Sequence, residues 1–152
     1  STMLNTGEIR MNDYKRKITY LNRYNVAKSH IDMMTDELAE LYDLQSKCDF
    51  TGMPSTPNIS DPVYNLIETI ERKIETVQNE IAALIIVREK IREDIGAIRN
   101  AHMRKVLFCK YILGLSWKEV CEHMPGFGRN TLYKIHNQAV KLLLENDKQE
   151  EK

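Results

Sequence analysis

Arg129, Asn130, Thr131, Tyr133, Lys134, Asn137 and Lys141 lie in one short stretch with no Asp or Glu between them. Their guanidinium, amide, hydroxyl and ammonium groups suit hydrogen bonding to base edges and phosphates. An Arg can pair with guanine and an Asn with adenine, while Lys and Tyr reach the backbone. The same stretch carries Leu132, Ile135, Ala139, Leu142 and Leu143 at intervals of three or four. That spacing predicts a helix with these five buried and the polar residues on other faces. A polar helix face is ordinarily only a solvated one, so the functional reading depends on what positions this helix.

Ser116-Trp117-Lys118-Glu119 has the pattern of a capping box. The Ser hydroxyl, and the Glu three residues on, can each satisfy a backbone N–H left over at a helix start. This short helix is expected to end at Met124, because Pro125-Gly126-Phe127-Gly128 combines a residue that stops the ladder with two that tolerate positive φ. Upstream, Arg104 to Leu113 reads as a further helix closed by Gly114. From Arg104 through Lys141 there are seven Lys or Arg against two Glu, in a chain whose net charge is zero. Positive charge gathered on a small helical unit is the electrostatic footprint of nucleic-acid binding. A B-DNA major groove admits one α-helix, whose first turns meet base edges while the preceding helix crosses the backbone. The expected base contacts are therefore Arg129, Asn130, Tyr133 and Lys134, with Thr131 and Asn137 also on the DNA-binding surface. Lys118, Lys141, Arg104 and Lys105 are the expected phosphate contacts.

The segments Tyr111 to Val120 and Thr131 to Leu143 resemble the C-terminal helix-turn-helix of ArpU/RinA-like phage late-transcription regulators. More distantly they are similar to region 4 of bacterial sigma factors, which reads the −35 promoter element. The resemblance implies that Arg129, Asn130, Tyr133 and Lys134 stand where base-reading or backbone-contacting residues open the recognition helix. It extends to Thr51-Gly52-Met53-Pro54-Ser55-Thr56-Pro57, similar to a mid-chain element of the same group. One position departs from the pattern. Members usually carry Ser or Thr just before the recognition helix, where this chain has Gly128, a weaker N-cap.

The remainder reads as long helices. Ile18, Leu21, Tyr24, Ala27, Ile31, Met34, Leu38 and Leu41 follow a helical period across residues 12–47. Residues 48–62 contain Gly52, Pro54, Pro57 and Pro62 and read as a loop, with Ser60-Asp61-Pro62 as the next helix start. Ile67, Ile70, Ile74, Val77, Ile81, Leu84, Arg88, Ile91, Ile95 and Ile98 then form a coiled-coil-like seam. Ala82, Ile85, Ile86 and Val87 widen it. The expected fold is all-α: a long antiparallel hairpin over residues 12–103, followed by a helix-turn-helix domain at 104–145. Flexible ends are expected at 1–11 and 146–152. The widened seam implies a homo-oligomer, a dimer first, presenting paired units to DNA.

Other chemistries find little support. Cys48, Cys109 and Cys121 are odd in number and lack metal-ligand spacing, and the four His are dispersed. No Gly-rich phosphate loop or nucleophile–base pair is present, so neither an enzyme, a cofactor nor a metal site is expected. His136 reads as a packing or phosphate-contacting residue. The densest apolar run, residues 81–87, is far short of a membrane span, and no basic leader with an apolar core and cleavage site is found. The expectation is a cytoplasmic protein of a bacterial host cell. The sequence thus points to a sequence-specific DNA-binding transcription regulator of phage or prophage late promoters. Two alternatives remain open: a small terminase-like packaging subunit, and an interaction module that binds RNA polymerase.

Overall fold

The structure, a computed structural model, describes residues 2–48 and 62–150. Among the described residues five α-helices follow one another: α1 (Thr2–Cys48), α2 (Pro62–Gly96), α3 (Ala101–Leu107), α4 (Trp117–His123) and α5 (Arg129–Glu150). A π-helical turn, Phe108–Ile112, continues α3. The described residues contain no strand, and none of their helices is long and apolar enough to cross a membrane. The fold is all-α, as expected, with α1 and α2 packed as a hairpin ahead of shorter helices.

The hairpin follows the two apolar stripes. On α1, Leu21, Tyr24, Ala27 and Leu41 are buried, and on α2 Ile70, Ile74, Val77, Ile91 and Ile95 are buried; Ile98, expected in the same seam, is buried as well but lies beyond the end of α2. Arg88, the charged residue in the seam, lays its guanidinium over the Tyr24 ring at 5.7 Å, which lets a cation occupy a seam position by covering an aromatic face. Of the residues that widen the seam, Val87 packs inward, whereas Ile85 is 41% and Ile86 70% exposed.

The helices divide between two compact units. One is Ala27–Ile86, whose core is Leu41, Ile70, Ile74 and Val77, edged by Met34, Leu38, Cys48 and Ile81. The other joins the residues up to Val26 with those from Val87 onward. A division at residue 103/104, suggested by the sequence, falls within this second unit. It has two cores. Leu21, Tyr24, Ile91, Ile95, Leu107, Tyr111 and Val140 belong to the first, and Val106, Cys109, Val120, Met124 and Leu132 to the second.

Three boundaries differ from the sequence reading. The α1 backbone is already helical at Thr2, so residues 2–11 are not an irregular segment. No Pro interrupts them, and extending an existing helix costs far less than starting one. At the other end, α5 continues through residues 146–150. The Lys17 ammonium, 8% exposed, reaches Asp147 at 2.5 Å and ties this last part of α5 to α1. Finally, the helix expected from Arg104 starts at Ala101, because the Asn100 side chain caps it by accepting from the His102 and Met103 N–H groups at 3.0 Å each. Residues 49–61, with the expected loop, the Thr51–Pro57 element and the Ser60-Asp61 helix start, lie outside the described residues.

Candidate nucleic-acid interface

The interface candidate is built where α3, α4 and α5 meet. After Leu107 the backbone widens into the π turn, with the Leu113 N–H bonded to the Phe108 carbonyl at 3.0 Å. The wider turn sends Cys109 into one core while Tyr111 and Ile112 enter the other. Gly114 then takes φ +69°, the left-handed conformation that lets the chain leave the helix. A Cβ there would sit 3.3 Å from the Asn25 amide, whose Nδ2 donates to the Tyr111 carbonyl at 2.7 Å. Gly is therefore required both by conformation and by the close approach of α1.

Ser116 caps α4 as its spacing predicts, its Oγ accepting from the Glu119 N–H at 3.3 Å. The Glu119 carboxylate accepts a hydrogen bond from the Ser116 hydroxyl at 3.2 Å. The turn Pro125–Gly128 has Gly126 at φ +94° and is pinned to α3 by an edge contact of Phe127 with His102, centroids 4.9 Å apart. Gly128 does not displace the start of α5, because its carbonyl accepts from the Leu132 N–H at 3.0 Å and Arg129 opens the helix. The departure from a Ser or Thr cap thus removes a side-chain bond and leaves the helix start in place.

On α5, Arg129, Asn130, Thr131, Lys134, Asn137 and Lys141 are exposed, and Lys118 is exposed on α4. Tyr133 is half-buried, with its ring edge-on to Trp117 at 4.7 Å. That contact joins the first turn of α4 to the second turn of α5. Trp117 is also met by His136 at 5.3 Å and by the Lys110 ammonium at 5.2 Å. Lys110 is bound locally, donating to the Leu115 carbonyl at 3.2 Å.

Two groups of expected site residues have other surroundings. Asn137 Oδ1 accepts from the Tyr14 hydroxyl at 2.5 Å and lies 3.2 Å from His136 Nδ1, so this amide holds α1 against α5. Arg104 and Lys105 are exposed on α3, but they line a depression with Arg92 of α2 and Phe108, on a flank distinct from that of the buried Val106 and Leu107. The Arg104 guanidinium is fixed there by the Ile98 carbonyl at 2.8 Å.

Sequence spacing did not reveal the network behind the interface. His136 is buried, and its Nε2 lies 2.6 Å from the Tyr111 hydroxyl. Donation by that hydroxyl to Nε2, with Nδ1–H directed at Asn137, satisfies a neutral imidazole at both nitrogens. Burial lowers the His136 pKa and nearby Lys110 lowers it further, while the bond to Asn137 opposes them. Burial, together with nearby Tyr14, pushes the Tyr111 phenol well above its ordinary value. Burial also raises the Cys109 thiol, against the pull of Lys105, consistent with a small apolar core residue. Among the described residues no three metal-ligating side chains converge.

The fold is that of an all-α protein in which a helical hairpin precedes short helices and a turn, with a polar, cation-bearing face on the last helix. The chain belongs to the DUF1492 family, described as a protein of unknown function, whose sequence profile matches residues 56–144. That match covers the second hairpin helix and nearly the whole of the helical region after it. No curated protein and no solved structure matches the chain.

Proposed function

We propose that this protein is a sequence-specific DNA-binding transcription regulator acting on phage or prophage late promoters in the bacterial cytoplasm. The observation that carries the reading is the exposed polar face on the first part of α5, residues 129–144, which contain no Asp or Glu and whose Arg129, Asn130, Thr131 and Lys134 occupy the first two turns. A helix presenting such groups from its N-terminal turns has the length and chemistry for a major groove. Tyr133 supports it by packing on Trp117, and Lys118 and Lys141 supply phosphate contacts on either side. Asn137 is a scaffold residue in this reading, because its carbonyl oxygen is already used by Tyr14. The exposed Ile85 and Ile86 support self-association into a dimer, which would present two such helices to a repeated site.

The test is salt-dependent binding to DNA flanking the gene and to the late promoter, against random DNA of equal length. Specific recognition predicts a preference of about a thousandfold or more, with affinity falling steeply in salt. Arg129→Ala should cost about 1–3 kcal/mol and relax sequence preference, while Lys141→Ala should weaken all sequences alike and reduce the salt slope by about one. Equal weak binding to every DNA would reject the reading in favour of a protein-binding role, with RNA polymerase or a terminase subunit as the partner to test.

A further inference from the structure

The depression at the α2–α3 corner has a composition unlike that of the α5 face. Its floor is apolar, made by Ile95, Ala101 and Phe108, and its rim carries three cations, Arg92, Arg104 and Lys105. It encloses about 550 Å³ and has no carboxylate among its lining residues. Arg92 and Lys105 are exposed, and the Arg92 guanidinium lies 5.9 Å from the centroid of the Phe108 ring. Arg104 is held by the Ile98 carbonyl, so one rim charge is fixed in place before any partner arrives. All these residues belong to a single compact unit.

We propose that this depression docks an acidic segment of a protein partner, with an apolar or aromatic side chain of that segment seated on Phe108 and its carboxylates against Arg92, Arg104 and Lys105. Charge complementarity selects an acidic partner, because a lining with three cations and no acid attracts an acidic segment, repels a basic one and gives a neutral one no charge attraction. The apolar floor selects a peptide over a nucleic-acid backbone. A phosphate backbone gains from cations but has no side chain to bury, whereas a peptide anchor removes the Phe108 and Ala101 surfaces from water. Phosphate contacts also come from groups that project outward, whereas these cations surround a hollow. The inference does not depend on α5 binding DNA, since it uses no residue of that helix.

Selection of a displayed random-peptide library on the full-length chain, followed by fluorescence-anisotropy titration of the most enriched peptides, tests this. The expected peptides combine Asp or Glu with Leu, Phe, Tyr or Trp. The double substitution Arg92→Gln and Lys105→Gln should weaken them about tenfold or more, with thermal unfolding unchanged because both side chains are exposed. Gly96→Leu is a second, steric variant. Gly96 lines the depression and a Cβ there meets nothing within 4 Å, so a larger side chain is accommodated without displacing a neighbour and should also weaken binding about tenfold or more. Enrichment of peptides without acids, absence of any enriched peptide, or undiminished binding to both variants would overturn the proposal. So would a result in which the double variant loses duplex-DNA affinity and keeps peptide affinity, since that would assign the rim to a nucleic acid.

Discussion

Tyr111→Phe removes a single hydroxyl from the network behind α5 and tests whether that network holds the helix. The hydroxyl is 2.6 Å from His136 Nε2, and both side chains are buried, at 3% and 6% exposure. Removing it leaves a buried acceptor unpaired, which costs about 1–3 kcal/mol. A loss of about 2 kcal/mol in unfolding free energy is expected at neutral pH. His136→Phe removes the acceptor as well, so adding Tyr111→Phe to it should cost much less than the hydroxyl loss alone, giving a coupling of about 1–2 kcal/mol. Urea unfolding followed by fluorescence is suited to this, because Trp117 is the only Trp in the chain and lies edge-on to His136 at 5.3 Å. Acidification adds an independent reading. The native His136 pKa lies below the ordinary 6.5, so the unfolded chain takes up the proton first as pH falls. The contribution of neutral His136 is therefore complete above about pH 6.5 and is lost as pH drops through the lower native value. In His136→Phe that part of the pH dependence should vanish. Additive single and double substitutions, or an acid slope unchanged in His136→Phe, would refute the account.

Three more outcomes follow from local geometry. Gly114→Ala forces a Cβ into a left-handed position 3.3 Å from the Asn25 amide, and should destabilise by about 1 kcal/mol or more in thermal unfolding. Ser116→Ala deletes the α4 cap and should cost about 0.5–2 kcal/mol, with Ser116→Thr recovering most of it in the same assay. Ile86→Glu places a charge on the most exposed residue of the widened seam. If self-association uses that face, sedimentation should show a shift from dimer to monomer with helix content unchanged by circular dichroism.

Much of the scaffold was legible in the residues themselves. The stripes through Leu21–Leu41 and Ile70–Ile95 are repeated by the buried positions, since a helical period allows one face to be covered and the hairpin has one seam to cover. Gly114, Ser116 and the Pro125–Gly128 turn behave as their local chemistry requires, because caps and positive-φ turns are decided within a few residues. Helix ends were harder to place. Residues 2–11 carry no periodic stripe and yet are helical, as a helix started elsewhere needs no apolar face to continue.

The sequence by itself determined the helical class, the apolar faces, the turn chemistry and the concentration of cations after Arg104, all of which are properties of residue type and short spacing. Only the tertiary structure decided which polar groups are engaged by other parts of the chain. Asn137 is indistinguishable from Asn130 as an exposed amide on α5 until Tyr14, more than a hundred residues earlier, is brought to its oxygen. His136 became a buried hydrogen-bonding residue because the π turn carries Tyr111 to its Nε2. Arg104 and Lys105 joined Arg92 around Phe108 because α3 turns that flank toward α2. Each of these pairings joins residues distant along the chain, so it depends on how the helices dock and leaves no mark in the local pattern.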